Sequence, residues 1–161
     1  MIGLKFARAG ALIALSVAAI PVQAAFVSPF TAMAGSWSGG GTISMANGAQ
    51  ERLRCRATYD VAGRGDQLSL NLRCASDSYN FDLSSNAEYR SGAISGEWSE
   101  ATRNAGGTLA GRASGDHIEV AARGQSFSAD LSMTTRGGRQ TVSIRPHGGD
   151  ISAVSLSLSR H

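Results

Sequence analysis

From Ser36 to the end of the chain, apolar residues recur at every second position in short runs separated by glycine-centred turns. Reflection about each turn brings apolar residues opposite one another. Around Arg64-Gly65, Val61 falls opposite Leu68, Tyr59 opposite Leu70, Ala57 opposite Leu72 and Cys55 opposite Cys74. Gly115-Asp116 sets Ala113 against Ile118 and Gly111 against Val120. Gly124-Gln125 sets Ala122 against Phe127, Val120 against Ala129 and Ile118 against Leu131, and Gly137-Gly138 sets Met133 against Val142 and Leu131 against Ile144. Strand side chains alternate between faces, so a slip of one residue would turn a whole strand inside out. Agreement across four turns predicts an antiparallel meander with one apolar face.

The pattern predicts strands near 36–45, 51–61, 68–75, 79–83, 91–99, 107–113, 117–122, 127–135, 139–145 and 152–159, with no helix among them. For Trp37, Gly39, Gly41, Ile43 and Met45 to share a side with Leu53 and Cys55, the first turn needs three residues, Asn47-Gly48-Ala49, with Gly48 at positive φ. That loop places Trp37 opposite Tyr59. Residues 25–34 read as a loose or short helical lead-in, and 35–161 as one β-domain. Strands with one apolar face bury it by closing into a barrel, which also removes exposed edges. Val154, Leu156 and Leu158, alternating with serines, mark the last strand as the partner of the first. The fold class is all-β, an up-and-down meander of about ten strands closing into a small barrel. An outer-membrane barrel shares such patterning, but the outward positions here carry Arg52, Arg54, Arg56, Asp60, Arg73 and Asp82, and the aromatics are too few for two girdles.

Ahead of the domain, Lys5 and Arg8 precede an apolar run from Ala9 to Ile20, and Val22-Gln23-Ala24 supplies a small-residue cleavage pattern. Residues 1–24 therefore read as a secretory signal peptide, which places the protein in the periplasm or outside the cell. The run falls short of the roughly 20 residues that cross a bilayer as a helix, so no membrane span is expected in the mature chain. Of fifteen basic residues Lys5 and Arg8 leave with the leader, so thirteen, all arginine, face twelve acids and the charge is +1. That balance speaks against a general nucleic-acid binder.

Cys55 and Cys74 face each other across one hairpin. Directly opposed residues in an antiparallel pair have Cα atoms about 4.5 to 5.5 Å apart, within disulfide range. An exported chain meets an oxidising compartment, and two cysteines without nearby histidines make a poor zinc set. A disulfide is expected, and no metal site.

Gly35-Ser36-Trp37 at the head of the first strand, with Arg160 just after the last, resembles the Gly-x-Trp signature of the calycin superfamily, which includes the lipocalins. The longer run Gly35-Ser36-Trp37-Ser38-Gly39-Gly40-Gly41 is similar to the opening of nitrobindin-like ten-stranded barrels. The overall plan also resembles small exported proteobacterial proteins. The resemblance implies a barrel in which Arg160 covers Trp37 as a structural clasp. The haem barrels of this kind carry a histidine on the last strand, whereas Ile151 to Ser159 contains none, so no haem and no other cofactor is expected.

Other chemistry is sparse. His117 and His147 sit beside hairpin glycines with Asp116 and Asp150 nearby, which reads as turn composition rather than a triad. No Gly-x-Ser-x-Gly elbow occurs. Glu97 and Glu100 flank Trp98, but Glu97 alternates outward and Glu100 sits at a turn, so a paired-carboxylate hydrolase is not expected and no catalytic residue is assigned. Arg52, Arg54 and Arg56 share the outward face of one strand with Arg73 across from Arg56; this patch suits either plain solvation or an anionic envelope component or protein partner. Small inward residues such as Gly39, Gly41, Gly96, Gly111, Ala57, Ala113, Ala122 and Ala129 leave either a cavity or tightly curved strands. A cavity would be lined by Tyr59, Leu70, Trp98, Ile118, Phe127, Leu131, Met133 and Ile144 and would take a small apolar or amphipathic ligand. The expected function is a non-catalytic binding module. The alternative is a protein-interaction module resembling the periplasmic metalloprotease inhibitors, with Phe26 to Ala34 as the segment that enters a protease cleft.

Overall fold

A computed structural model describes residues 27–161; the leader, Ala25 and Phe26 lie outside the described residues. The chain forms a short 3-10 helix, Pro29–Met33, and ten strands: β1 Gly35–Met45, β2 Gln50–Ala62, β3 Gln67–Ala75, β4 Asn80–Arg90, β5 Ala93–Glu100, β6 Ala105–Ser114, β7 His117–Gly124, β8 Ser128–Arg136, β9 Arg139–Pro146 and β10 Ile151–Arg160. Each strand pairs antiparallel with the next, and β10 returns to β1 from Trp37↔Arg160 through Leu158, Leu156 and Val154, closing the barrel.

The tight turns set the registers that reflection predicts. Cys55↔Cys74 and Tyr59↔Leu70 pair across β2 and β3, Ala113↔Ile118 across β6 and β7, and Met133↔Val142 and Leu131↔Ile144 across β8 and β9. Two longer turns differ from expectation by two residues. Trp37 pairs with Ala57 and Gly35 with Tyr59, because the β1–β2 connection spans Met45 to Ala49, closed by Met45 N–H to Ala49 O at 2.8 Å and Gly48 N–H to Met45 O at 3.0 Å. Gly48 does take positive φ, +88°. Across β7 and β8, Ala122 pairs with Ala129 and Val120 with Leu131, which leaves Phe127 in the loop ahead of β8 rather than on the strand. A shift of two preserves the parity of the pleat, so the inward set survives both corrections. β4 is longer than expected. Ser84, Ser85 and Asn86 hide its continuation in the sequence, yet Ala87 and Tyr89 beyond them are buried.

One end is plugged. Ser28 caps the 3-10 helix by accepting from Phe30 N–H at 3.3 Å, and Pro29 supplies the fixed φ that starts it. The helix delivers Phe30 and Met33, 1% and 2% exposed, into the barrel mouth, where Phe30 meets Tyr89 edge-on at 6.1 Å. Beneath them Trp37, Tyr59, Ile94, Ile118 and Leu158 complete the packing. Each such large apolar side chain contributes about 1.5 to 3 kcal/mol. The inward glycines serve curvature: a Cβ at Gly39 or Gly41 would collide with the Ser157 or Ser155 carbonyl, and at Gly96 with that of Asn86. Small residues here bring neighbouring backbones together rather than hollowing the barrel.

Candidate functional site

The buried core is contiguous from the plug through Ile43, Met45, Leu53 and the cysteines, but Trp98, Ala122 and Ala129, although buried, stand outside it. Leu83, Leu109 and Leu131 are half-buried and do not pack against it either. Leu83 pairs with Leu72, Leu109 with Ala122 and Leu131 with Val120, so the leucines share the inward face and yet keep contact with solvent. All five inward positions of β6, from Ala105 to Ala113, are likewise only half-buried. These inward apolar positions keep part of their surface in contact with solvent, so the interior around Trp98 is less completely covered than the packed core beneath the plug.

Trp98 stands on the inward face of β5 in this part of the interior. Opposite it on β6 stands Gly107, and a Cβ at Gly124 would come within 3.0 Å of Cζ2 of the indole, so glycine on both strands leaves room for the ring. Phe127, 38% exposed, leans on it edge-on with centroids 5.6 Å apart. The indole Nε1 is buried and, among the described residues, has no hydrogen-bond partner. An unpaired buried donor forfeits about 1 to 3 kcal/mol of hydration. At the rim beside it, the β5–β6 and β7–β8 loops enclose a depression of about 520 Å³ bounded by Asn104, Gly106, Arg123 and Gln125.

Carboxylates fasten the loops at the end of the barrel away from the plug. Glu100, buried at the end of β5, accepts from the backbone N–H of Asp82, Thr102 and Arg103, from the Thr102 hydroxyl at 2.6 Å and from the Arg103 guanidinium. Burial pushes its pKa up, but those donors outweigh it and hold the carboxyl below its ordinary value. Arg103 also lies 4.7 Å over Phe81, which stacks on Tyr79. Glu51 accepts from the Ser76 hydroxyl and Ser78 N–H across the β3–β4 loop, and these bonds lower its pKa. Asp130 is pushed up by desolvation but held down by hydrogen bonds from Arg123 and His147. Glu97 faces solvent, so the two glutamates flanking Trp98 point apart and do not form a pair around a substrate.

At the plugged end Arg160 Cζ lies 4.8 Å from the Trp37 ring centroid and its guanidinium donates to Ala32 O. Trp37 Nε1 donates to Met33 O at 2.7 Å. Tyr59 OH donates to Gln140 Oε1 at 2.7 Å, and Gln140 passes the chain on to Thr135. Burial pushes the Tyr59 phenol well above its ordinary value. His161 bonds Ser38, and its backbone N–H reaches Ser36 O at 3.0 Å.

Of the expected lining residues, Trp98, Leu70, Leu131, Met133 and Ile144 face the interior. Tyr59 and Ile118 belong to the packed core at the plugged end, and Phe127 to the rim. Leu83 and Leu109 also face the interior; alternation alone does not single them out, since Leu83 falls at the last position of the expected 79–83 strand and Leu109 stands among glycines and alanines. Cys55 and Cys74 are joined, with S–S 2.05 Å and Cα atoms 4.1 Å apart, a bond of the kind that persists in oxidising compartments. The four-arginine patch reduces to three, since Arg73 pairs with Asp82 at 3.2 Å. The lead-in expected to enter a protease cleft spends Pro29, Phe30 and Met33 inside its own barrel. His117, expected as a turn residue, is half-buried at the start of β7 and bonds Thr134 and Glu119.

No family model and no curated protein matches the sequence. Among solved structures, the chain is similar to Rv2717c from M. tuberculosis, with a TM-score of 0.65 at 14% identity over 83% of this chain and 94% of that one. It is also similar to the S-type phycobiliprotein lyase CPES from Guillardia theta, with a TM-score of 0.60 at 12% identity over 82% and 90% of the two chains. At such identities the likeness is one of fold alone: the protein is a closed, ten-stranded antiparallel β-barrel of the same overall architecture as these neighbours.

Proposed function

We propose that the protein is an exported, non-catalytic binding module that takes a small amphipathic ligand into the open half of its barrel, its apolar part against Leu83, Leu109 and Leu131 and a hydrogen-bond acceptor on Trp98 Nε1. The observation that carries this reading is the buried indole N–H left without a partner beside incompletely covered apolar side chains. An acceptor on the ligand would restore the bond that folding removed from water. The fold is compatible with such a role, since one structural neighbour is by name a phycobiliprotein lyase. The buried carboxylate nearest the lumen, Glu100, is engaged by backbone and side-chain donors, which favours binding over acid–base chemistry.

Native mass spectrometry of protein recovered from the periplasm tests the reading for a carried ligand, and titration with dodecanoate, followed by tryptophan fluorescence, tests it directly. Filling the lumen with Leu109→Trp should abolish dodecanoate binding. Trp98→Phe keeps the ring and loses the donor, and should weaken binding about tenfold, the worth of one hydrogen bond. Binding that survives both changes would place the ligand elsewhere, and absence of any binding or carried ligand would overturn the proposal.

A further inference from the structure

The outer wall formed by β2, β1, β10 and β9 differs from the rest of the surface. On β2 the outward positions 52, 54 and 56 are exposed arginines, and among the described residues none of the three has a carboxylate within ion-pair distance or a side-chain hydrogen bond. Arg73, Arg90, Arg103, Arg123 and Arg136 each meet an acid, whereas Arg64, Arg112, Arg139 and Arg145 do not; among the described residues only β2 sets three unpaired arginines in succession along one strand face. Beside the arginine column the outward positions are mostly neutral, and all of these but Gly40 carry hydroxyls: Ser38, Gly40 and Thr42 on β1, Ser155, Ser157 and Ser159 on β10, Thr141 and Ser143 on β9, with exposed Arg139 and Arg145 at the two ends of β9 adding further positive charge. A shallow depression of about 420 Å³ runs over Gly40, Ser155, Ser157, Thr141, Ser143 and Thr134.

Three uncompensated guanidinium groups spaced about 7 Å apart along one strand repel one another, and their repulsion is relieved by an anionic partner. The hydroxylated face beside the arginines, three strands at about 4.8 Å each, gives such a partner room to lie across it. Its chemistry follows from what the wall lacks. Stable protein–protein interfaces centre on apolar and aromatic residues, and peripheral membrane binding uses apolar side chains that insert; the outward positions of this wall offer neither. A chain that is polar throughout, with many hydroxyls and periodic negative charge, matches serine and threonine hydroxyls and arginine forks together. We infer that this wall is a docking surface for an acidic polysaccharide, whose carboxylate or other anionic groups pair with Arg52, Arg54 and Arg56 while its hydroxyls lie on the β1–β10–β9 face. The surface is separate from the lumen and does not depend on it.

The test is binding of the protein to polygalacturonate, with uncharged dextran, phosphatidylglycerol vesicles and polyglutamate as the other probes. Polygalacturonate should bind with an affinity that falls as salt rises, and dextran should not. Replacing Arg52, Arg54 and Arg56 together by Gln should weaken polygalacturonate binding by about tenfold or more, at least the loss of one charge-assisted hydrogen bond. Removing the same charge elsewhere, with Arg64, Arg90 and Arg112 changed to Gln, should leave it within about twofold, and the melting of both variants should match the parent, as expected of exposed positions. The corresponding Lys triple should retain part of the affinity, because it keeps charge and loses the fork. Equal loss in both Gln triples would reduce the effect to net charge and overturn the assignment. Binding of vesicles or polyglutamate in preference to polygalacturonate would overturn it as well.

Discussion

The two tryptophans mark two ends built on different principles. Trp37, at the plugged end, donates its indole N–H to Met33 O, carries Arg160 over its ring and lies against Tyr59. Trp98, near the other end, is also buried, at 7% exposure against 1% for Trp37, but keeps an unpaired donor and has the 38% exposed Phe127 for a neighbour. Around Trp37 the chain closes its own site with a segment from outside the barrel. Around Trp98 it leaves space and fastens the surrounding loops with Glu51, Glu100 and Asp130. One mouth is thus sealed with apolar packing and the loops of the other are held by polar clamps, so the two ends are expected to differ in local stability.

If the plugged end carries the stability, Phe30→Ala should cost about 3 to 5 kcal/mol, whereas Phe127→Ala at the other rim should cost under about 1 kcal/mol. Denaturant unfolding of the two variants measures both, and similar losses would erase the distinction. Next in size is the disulfide, which ties the middle of β2 to the far end of β3. Changing Cys55 and Cys74 together to Ala should cost about 3 kcal/mol by the loop-closure account, read from the same unfolding curves.

Arg160→Ala should cost about 1 to 2 kcal/mol while leaving the fold intact, and Arg160→Lys should recover only part of it. A double-mutant cycle with Trp37→Phe should give a coupling energy clearly different from zero.

The smallest expected effect sharpens the contrast through pH. Glu51, Glu100 and Asp130 have folded pKa values below their ordinary values of 4.5, 4.5 and 3.8. Depressed carboxylates contribute stability above their unfolded pKa and lose it as pH falls through the folded one. Acidification below about 4.5 should therefore speed amide hydrogen exchange in the loops away from the plug first, while Leu158 and its neighbours at the plug stay protected. Glu100→Gln should flatten that dependence in the 101–104 loop, and uniform acid loosening at both ends would contradict the picture.

Much of this barrel is written in alternation. The apolar face, the closure of β10 on β1, the pairing of Cys55 with Cys74 and the registers across the tight β2–β3, β6–β7 and β8–β9 turns follow from period two and from glycines that take positive φ. Where the turn is longer, as at Met45 to Ala49 and ahead of Ser128, the sequence fixes parity but not count, because a shift of two leaves every side chain on its own face. Tertiary structure decided the rest. Phe30 and Met33 become a plug only when ten strands present a mouth of the right width, and the glycines at 39, 41 and 96 act as curvature devices only beside the carbonyls they approach. Neither the unpaired N–H of Trp98 nor the lack of acids around Arg52, Arg54 and Arg56 has any local mark, since an unmet partner is a property of what surrounds a residue in space, and the chain records only what precedes and follows it.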